Sequence, residues 1–380
     1  MRIVQITTDS REHYRTYNSD TPAFGAAPEA LLEGFSLIPG IELHVISCLR
    51  NQVSSPSKLT ENIYYHAQTV GRRGWITTAY AGCILKTRSL ISKLQPDIVH
   101  GQGTERDCAM CAVHSRFPNV VTIHGNMAEL QRLGHHGHRL YGTLASLLEG
   151  HALARTNGVL CNSAYTKGLV HYRARKTWLV PNPIRTPFFQ KSLCDPITDA
   201  PILLNVGLVT PRKRQLEILR GIRSLRRMGH VFKIVFCGGL SEDTEYGRQF
   251  TLELKAAEKE GFADFAGFLN VQDLVKLMDR SSGFIHYPSE EAFGLVVAEA
   301  LARGLKFFGA NLGGICDIVS DIPGTELHDT MESLCTGVSK WLADGAPRHP
   351  HAAAEIERRY HPQVIANRHI QIYREILGQS

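Results

Sequence analysis

Pro288-Ser-Glu-Glu-Ala-Phe-Gly-Leu-Val-Val-Ala-Glu-Ala-Leu-Ala-Arg-Gly304 sets two carboxylates, Glu291 and Glu299, eight residues apart around a Phe-Gly turn. A short apolar run, Gly283-Phe-Ile-His-Tyr287, precedes it, and a helix-like apolar run follows it. A strand that passes through a glycine turn into a helix leaves free N–H groups at the helix start. Those groups and the helix dipole favour phosphate there. A carboxylate before the turn can accept from sugar hydroxyls, and one in the early helix from ribose hydroxyls. On spacing alone, a solvated acidic turn followed by a surface helix reads the same way.

Outward from this stretch, short β-rich runs alternate with longer helix-period segments, which argues for parallel sheets wound with helices. Strands are predicted at Ile3–Thr7, Glu42–Ser47, Ile98–Gly101, Val120–His124, Gly158–Asn162 and Thr177–Val180. In the second half they are predicted at Ile202–Val206, Lys233–Cys237, Phe262–Phe265, Gly283–His286 and Lys306–Gly309. Two sets of similar size imply two α/β, doubly wound, Rossmann-like domains facing each other. The boundary is expected at Pro181-Asn-Pro-Ile-Arg-Thr-Pro187, where three prolines bar a helix or central strand. The expected domains are residues 1–182 and 183–361, followed by a last helix within 362–380.

A chain of 380 residues exceeds one ordinary core. Its apolar fraction of 43% and charged fraction of 21% are those of a globular protein, and it has no apolar run long enough to span a bilayer. The start, Met-Arg-Ile-Val-Gln-Ile, lacks the layout of a signal peptide. Nine scattered cysteines suggest reduced thiols and a cytoplasmic setting. Cys108 and Cys111, with His114 behind them, lack the second ligand pair that a zinc site needs. They read as two small core residues on one helix face. His135, His136 and His138, in a glycine-rich stretch, could bind metal but read first as a mobile polar loop over a cleft. The net charge of +6 sits in the first half. Residues 1–182 hold 19 Lys and Arg against 12 Asp and Glu, and the remainder 23 against 24. A basic first domain suits an anionic partner. A peripheral contact with an anionic membrane is one candidate, because Arg72-Arg-Gly-Trp75 leads into an amphipathic run with Ile76, Tyr80, Ile84 and Leu85. The same stripe also reads as helix packed on its own sheet. No motif for nucleic acid is present.

Open α/β sheets bind ligands at the carboxyl ends of their strands. Asn205-Val-Gly-Leu-Val-Thr-Pro-Arg-Lys-Arg214 places the Gly207 turn and three cations, Arg212, Lys213 and Arg214, at such an end, which suits a diphosphate. Thr122-Ile-His-Gly-Asn126 puts His124 at another. Leu312-Gly-Gly-Ile-Cys-Asp317 supplies a further glycine turn, whose glycines permit close approach of a ligand.

In order along the chain, these stretches resemble the family 4 glycosyltransferases of GT-B architecture. Pro96-Asp-Ile-Val-His-Gly-Gln102 is similar to the family's "PDIVHAH", Val121-Thr-Ile-His-Gly125 to "TIHG", Cys161-Asn-Ser-Ala-Tyr-Thr-Lys167 to "vSeytk" and Val180-Pro-Asn-Pro-Ile184 to "vPNGvD". Pro288–Gly304 matches the E-x7-E signature, and Leu312–Asp317 resembles "vGGipE". The resemblance implies retaining transfer of a sugar from a nucleotide-diphosphate donor, a UDP- or GDP-sugar, to a glycan or glycolipid acceptor, with no metal. It implies that Glu291 meets the donor sugar hydroxyls and Glu299 the ribose. Lys213 and the N–H groups of Phe293, Gly294 and Leu295 would bind phosphate, and His124 would lie near the transferred sugar across the cleft. It also implies that the last helix crosses back onto the first domain. The chain departs from the pattern in four places. Leu208 stands where the family has Arg, with Arg212 or Arg214 as candidate replacements. Pro183 and Asp317 replace the usual Gly and Glu. A polar insertion, Thr8–Thr21, precedes Gly25, the candidate backbone contact to the donor. A sugar-nucleotide epimerase and a non-catalytic sugar-nucleotide binder are the alternatives.

Overall fold

A computed structural model describes residues 1–134, 139–190 and 200–379. Three of the histidines singled out above, His135, His136 and His138, lie outside the described residues. The chain divides into two compact units, Met1–Arg185 with Tyr360–Ser380, and Thr186–Arg359.

The first unit holds strands β1 (Arg2–Ile6), β2 (Glu42–Leu49), β3 (Lys58–Thr60), β4 (Ile63–Thr69), β5 (Ile98–Gln102), β6 (Asn119–Ile123), β7 (Val159–Cys161) and β8 (Thr177–Leu179). They form one sheet in the order β3-β4-β2-β1-β5-β6-β7-β8, parallel throughout except for β3, which runs antiparallel to β4 at the edge. Strands buried on both faces read as continuous apolar runs, and here successive residues serve opposite faces. Ile3, Leu43, Val45, Ile98 and Val120 pack with Phe35, Ile365, Ile370 and Tyr373 on one side. Val4, Ile6, Ile46, Val99 and Val121 pack with Cys83, Ile91 and Cys111 on the other.

Helix Pro362–Ile376 belongs to this unit and lies against helix Ala26–Ser36. Their approach is so close that a Cβ on Gly34 would stand 2.2 Å from the carbonyl oxygen of Pro362.

The second unit holds β9 (Ile202–Val206), β10 (Lys233–Cys237), β11 (Ala263–Gly267), β12 (Gly283–His286), β13 (Lys306–Ala310) and β14 (Thr325–His328). All are parallel, in the order β11-β10-β9-β12-β13-β14. Strand order reverses at β1/β5 in the first unit and at β9/β12 in the second. Loops leaving the carboxyl ends of such a pair diverge to opposite faces and open a crevice.

Two expectations need correction. Trp75 and Tyr80 are core residues, each 4% exposed. The Trp75 indole N–H donates to the Val70 carbonyl at 3.3 Å, and Arg50 and Arg106 lie over its ring. Neither aromatic is available as an interfacial anchor; Ile76 and Ile84 pack partly on the same core, while Leu85 is exposed. The Thr8–Thr21 insertion is not simply a polar loop. Asp9 caps the short helix Ser10–Tyr14, and Arg11, fully buried, pairs with Asp9 at 2.8 Å. The Tyr65 hydroxyl donates to the same carboxylate at 2.6 Å, and Arg11 donates to the carbonyls of Ser19 and Ser54. A buried charge tolerates that position because it is paired and its remaining donors are satisfied.

Candidate functional site

The β9/β12 switch point of the second unit gathers most of the residues selected from sequence. The loop after β9 carries Gly207 to Arg214, and the loop after β12 carries Tyr287 to Gly294. They are tied together through the Ser289 N–H, which donates to the Arg212 carbonyl at 2.8 Å. Buried Gln215 braces the first loop, accepting from the Thr210 N–H at 3.2 Å and donating to the Leu208 carbonyl at 3.1 Å.

Lys213 reaches across to Glu291 in a direct ion pair, and His286 Nε2 donates to the same oxygen of Glu291 at 2.9 Å. Burial raises the Glu291 carboxyl, but Lys213 and His286 outweigh it and hold the group well below the usual carboxylate range. The same burial, with the Lys213 charge, pushes the His286 imidazole down. His286 is thus a neutral ring donating through Nε2, and its buried Nδ1 has no partner among the described residues. Arg212 is held by Glu290, donating to its carboxylate and its carbonyl at 3.1 Å each. Arg214 lies over the Tyr287 ring. Of the basic triplet, Lys213 is the cation directed at Glu291. Leu208 is 58% exposed on the same loop.

Beyond Glu291 the chain turns through Phe293, which is buried, and Gly294, at φ +99, into helix Leu295–Ala302. Gly294 takes a backbone angle that a side chain disfavours, and it leaves the first helical N–H groups without intrahelical partners. Glu299 is buried within that helix. The glycine pair at 313–314 proves to serve the chain itself. A Cβ on Gly313 would stand 2.2 Å from the Glu291 carbonyl oxygen, and the Gly314 N–H donates to that oxygen at 2.9 Å. The pair seats the Glu291 loop, because a side chain at either position would run into that loop's backbone.

In the first unit, His124 closes β6, and its Nε2 meets the Gln102 side-chain oxygen at 2.9 Å. Gln102 leads on to His100, which meets the Tyr373 hydroxyl at 2.6 Å and Thr122 at 2.7 Å. Burial holds the His124 imidazole down at about 4, so the ring is neutral at ordinary pH. Gly25 caps helix Ala26–Ser36 from an exposed position.

The family models match in two adjoining blocks. The model described as glycosyltransferase family 4 matches residues 39–187, and that described as glycosyl transferases group 1 matches residues 195–359. The chain belongs to the family 4 glycosyltransferases. Among its relatives, lipopolysaccharide 1,2-N-acetylglucosaminetransferase of Salmonella typhimurium is 30% identical over 38% of this chain and 40% of its own length. GDP-Man:Man(3)GlcNAc(2)-PP-Dol alpha-1,2-mannosyltransferase of Caenorhabditis elegans is 31% identical over 38% of this chain and 33% of its own. The chain spans 40% or less of the length of these curated relatives. Sucrose-phosphate synthase from Thermosynechococcus elongatus superposes with a TM-score of 0.77 over 100% of both chains at 15% identity. HepE of Anabaena in complex with UDP-glucose does so at 0.72 and 17%, again over 100% of both. At these identities the likeness establishes the fold, the GT-B pair of Rossmann-like domains with parallel sheets.

Sequence reasoning missed three groups that accompany this family 4 chain's candidate residues. His286 and Glu290 sat inside the quoted stretches, but nothing in their spacing distinguished them. Glu105 follows β5 and accepts from the Gly125 N–H at 2.7 Å, next to His124, and burial pushes its carboxyl up to about 7. Its signal is tertiary, since Glu105 and Gly125 meet only because β5 and β6 are paired. Among the described residues, no helix is long and apolar enough to cross a membrane.

Proposed function

We propose that this chain is a retaining, metal-independent glycosyltransferase that moves a hexose or hexosamine from a UDP- or GDP-sugar to a glycan or glycolipid acceptor. The observation that carries the reading is the Lys213–Glu291–His286 cluster at a strand-order switch point, directly ahead of a glycine-capped helix. It pairs a cation and the N–H groups at a helix start, for a diphosphate, with an ionised carboxylate for sugar hydroxyls. Relatives named for N-acetylglucosamine and mannose transfer, and a neighbour holding UDP-glucose, support the donor class.

In the proposed reaction, the bond from the sugar's anomeric carbon to the diphosphate oxygen breaks. The acceptor hydroxyl oxygen bonds to that carbon on the same face, and its proton passes to the departing diphosphate. Lys213 and the N–H groups of Phe293, Gly294 and Leu295 stabilise the charge that develops on the leaving group. Glu291 orients the sugar and Glu299 the ribose. Gly207 and Arg212 shape the phosphate loop. His124 and Gly25 are the first unit's proposed contributions to the same reaction.

Turnover assays on Lys213→Ala and Glu291→Ala, across UDP- and GDP-sugars, test this. Each variant is expected to lose at least about 100-fold in kcat/KM, roughly 3 kcal/mol of transition-state stabilisation. Unchanged turnover in both would remove the assignment. The exposed Leu208 favours one second reading, a sugar-nucleotide binder without catalysis. Calorimetry that shows UDP bound tightly, with no turnover on any acceptor, would select it.

A further inference from the structure

We propose that Cys48, Asp107 and Cys111, with Cys83 completing the set, form a structural zinc site inside the first unit. Cys48 lies near the end of β2, Cys83 on helix Ala81–Leu94, and Asp107 and Cys111 four residues apart on one face of helix Asp107–Val113. Three separate elements therefore deliver thiols and a carboxylate to one point. The ligand atoms of Cys48, Asp107 and Cys111 all lie within 4.8 Å of one another. Cys83 is buried in the same core cluster as Cys48 and Cys111, its thiol donating to the Gly74 carbonyl at 3.5 Å, and is the proposed fourth ligand. Tetrahedral zinc, with bonds of about 2.3 Å to sulfur, sets its sulfur atoms about 3.8 Å apart, so a contraction of about 1 Å brings Cys48, Asp107 and Cys111 to ligating distance.

The carboxylate argues that this is more than a cluster of core thiols. Asp107 is 4% exposed, and among the described residues no Lys, Arg or His forms an ion pair with it. The Cys111 thiol donates to it at 4.0 Å, and the neighbouring Arg106, which pairs with Glu12, acts on it through charge without a direct ion pair. Buried charges are ordinarily paired or bound to metal. A sulfur-rich tetrahedral set selects zinc, and complete enclosure by protein makes the site structural. Cys108, the other half of the Cys-x-x-Cys, turns away to Thr8. That explains why the spacing of residues 108 and 111 did not reveal a ligand pair in the sequence.

The test is elemental analysis of the full chain, purified without chelators and again after chelation and return of zinc. One zinc per chain is expected to survive gel filtration, with a higher melting temperature than the stripped protein. Cys48→Ser/Cys111→Ser is expected to lose the ion, while His135→Ala/His136→Ala/His138→Ala keeps it. If the cysteine variant fails to fold, cobalt on the unaltered chain decides, because thiolate ligation gives a sulfur-to-metal charge-transfer band. Absence of that band, zinc retained by the cysteine variant, or a Cys48–Cys111 disulfide in the purified chain would each overturn the proposal.

Discussion

Replacing Lys213 with Met removes one member of a nearly enclosed ion pair and leaves Glu291 supported only by a neutral histidine. The two side chains are 14% and 12% exposed. At an effective dielectric of about 20 and a separation of about 3–4 Å, the lost attraction is roughly 4–6 kcal/mol. Part of it is offset because Lys213 no longer has to shed its own hydration. Breaking fully buried pairs costs about 3–5 kcal/mol. Slight exposure lets water relieve the abandoned carboxylate, which places Lys213→Met at about 2–4 kcal/mol. For a unit of this size that lowers its melting temperature by roughly 5–15 °C. Trp341 is the only tryptophan in the second unit, whereas Trp75 and Trp178 lie in the first. The 19F resonances of a fluorotryptophan-labelled chain therefore follow each unit separately. Glu291→Gln, made alone and with Lys213→Met, completes a cycle. The double variant is expected to be milder than the sum of the singles by at least about 1 kcal/mol, because neither group is then left charged and alone. Additivity within about 0.5 kcal/mol, or a shift of the Trp75 and Trp178 signals in place of Trp341, would show that the two residues do not act as a pair.

Lowering the pH should weaken the first unit before the second. His369 is 4% exposed; burial holds His369 and His124 down at about 4, and it pushes the His100 imidazole well below its ordinary value too. These rings stay neutral in the folded chain but protonate below about 6.5 when unfolded, so their contribution is complete above that pH and is lost as pH falls toward 4. At pH 5 the loss is about 2 kcal/mol for each of His369 and His124, and chemical denaturation at pH 7 and 5 that showed no difference in the Trp178 signal would contradict it. Gly313→Ala places a Cβ at φ +56 and 2.2 Å from the Glu291 carbonyl oxygen. It is expected to cost at least about 2 kcal/mol in Trp341 melts and to weaken nucleotide binding, and a variant with unaltered melting would show that the contact is relieved elsewhere. Leu208→Arg adds a cation to an exposed position and should leave stability within about 0.5 kcal/mol. Calorimetry is expected to show UDP or GDP binding roughly threefold to tenfold tighter, and equal affinity would mean that Leu208 does not face the phosphates.

The central strands were legible because parallel strands covered on both faces leave short, uninterrupted apolar runs, as in Ile202–Val206 and Gly283–His286. The strands that escaped prediction lie at a sheet edge, as β3 and β14 do, or next to one, as β4 does. Lys58–Thr60 has three residues, Ile63–Thr69 carries Tyr64, His66 and Gln68 on its less buried side, and Thr325–His328 is mostly half-buried. A strand that is short, or that has one face only partly covered, does not need an apolar run. At the candidate site, charge and glycine spacing located Lys213 and Glu291, because a cation and a carboxylate beside glycine turns stand out in any register. His286 stayed hidden because its apolar neighbours, Phe284 and Ile285, made it read as one more core residue. The contact of the 313–314 glycines with the Glu291 loop was not legible in the sequence, for a physical reason. Glycine marks a place where something comes close, but it does not say whether that is a ligand or the chain's own backbone. Asp9 and Arg11 were equally opaque, because two residues apart on paper they look like any solvated turn.

The lodging of residues 360–379 beside Gly34 bears on how the protein is made. As the chain leaves the ribosome, the apolar face around Phe35 waits without its cover of Ile365, Ile370 and Tyr373 until some 170 intervening residues have emerged. Thr186–Arg359 is complete before then. The half synthesised first is therefore the half finished last, and through that interval it presents a greasy seam suited to a chaperone.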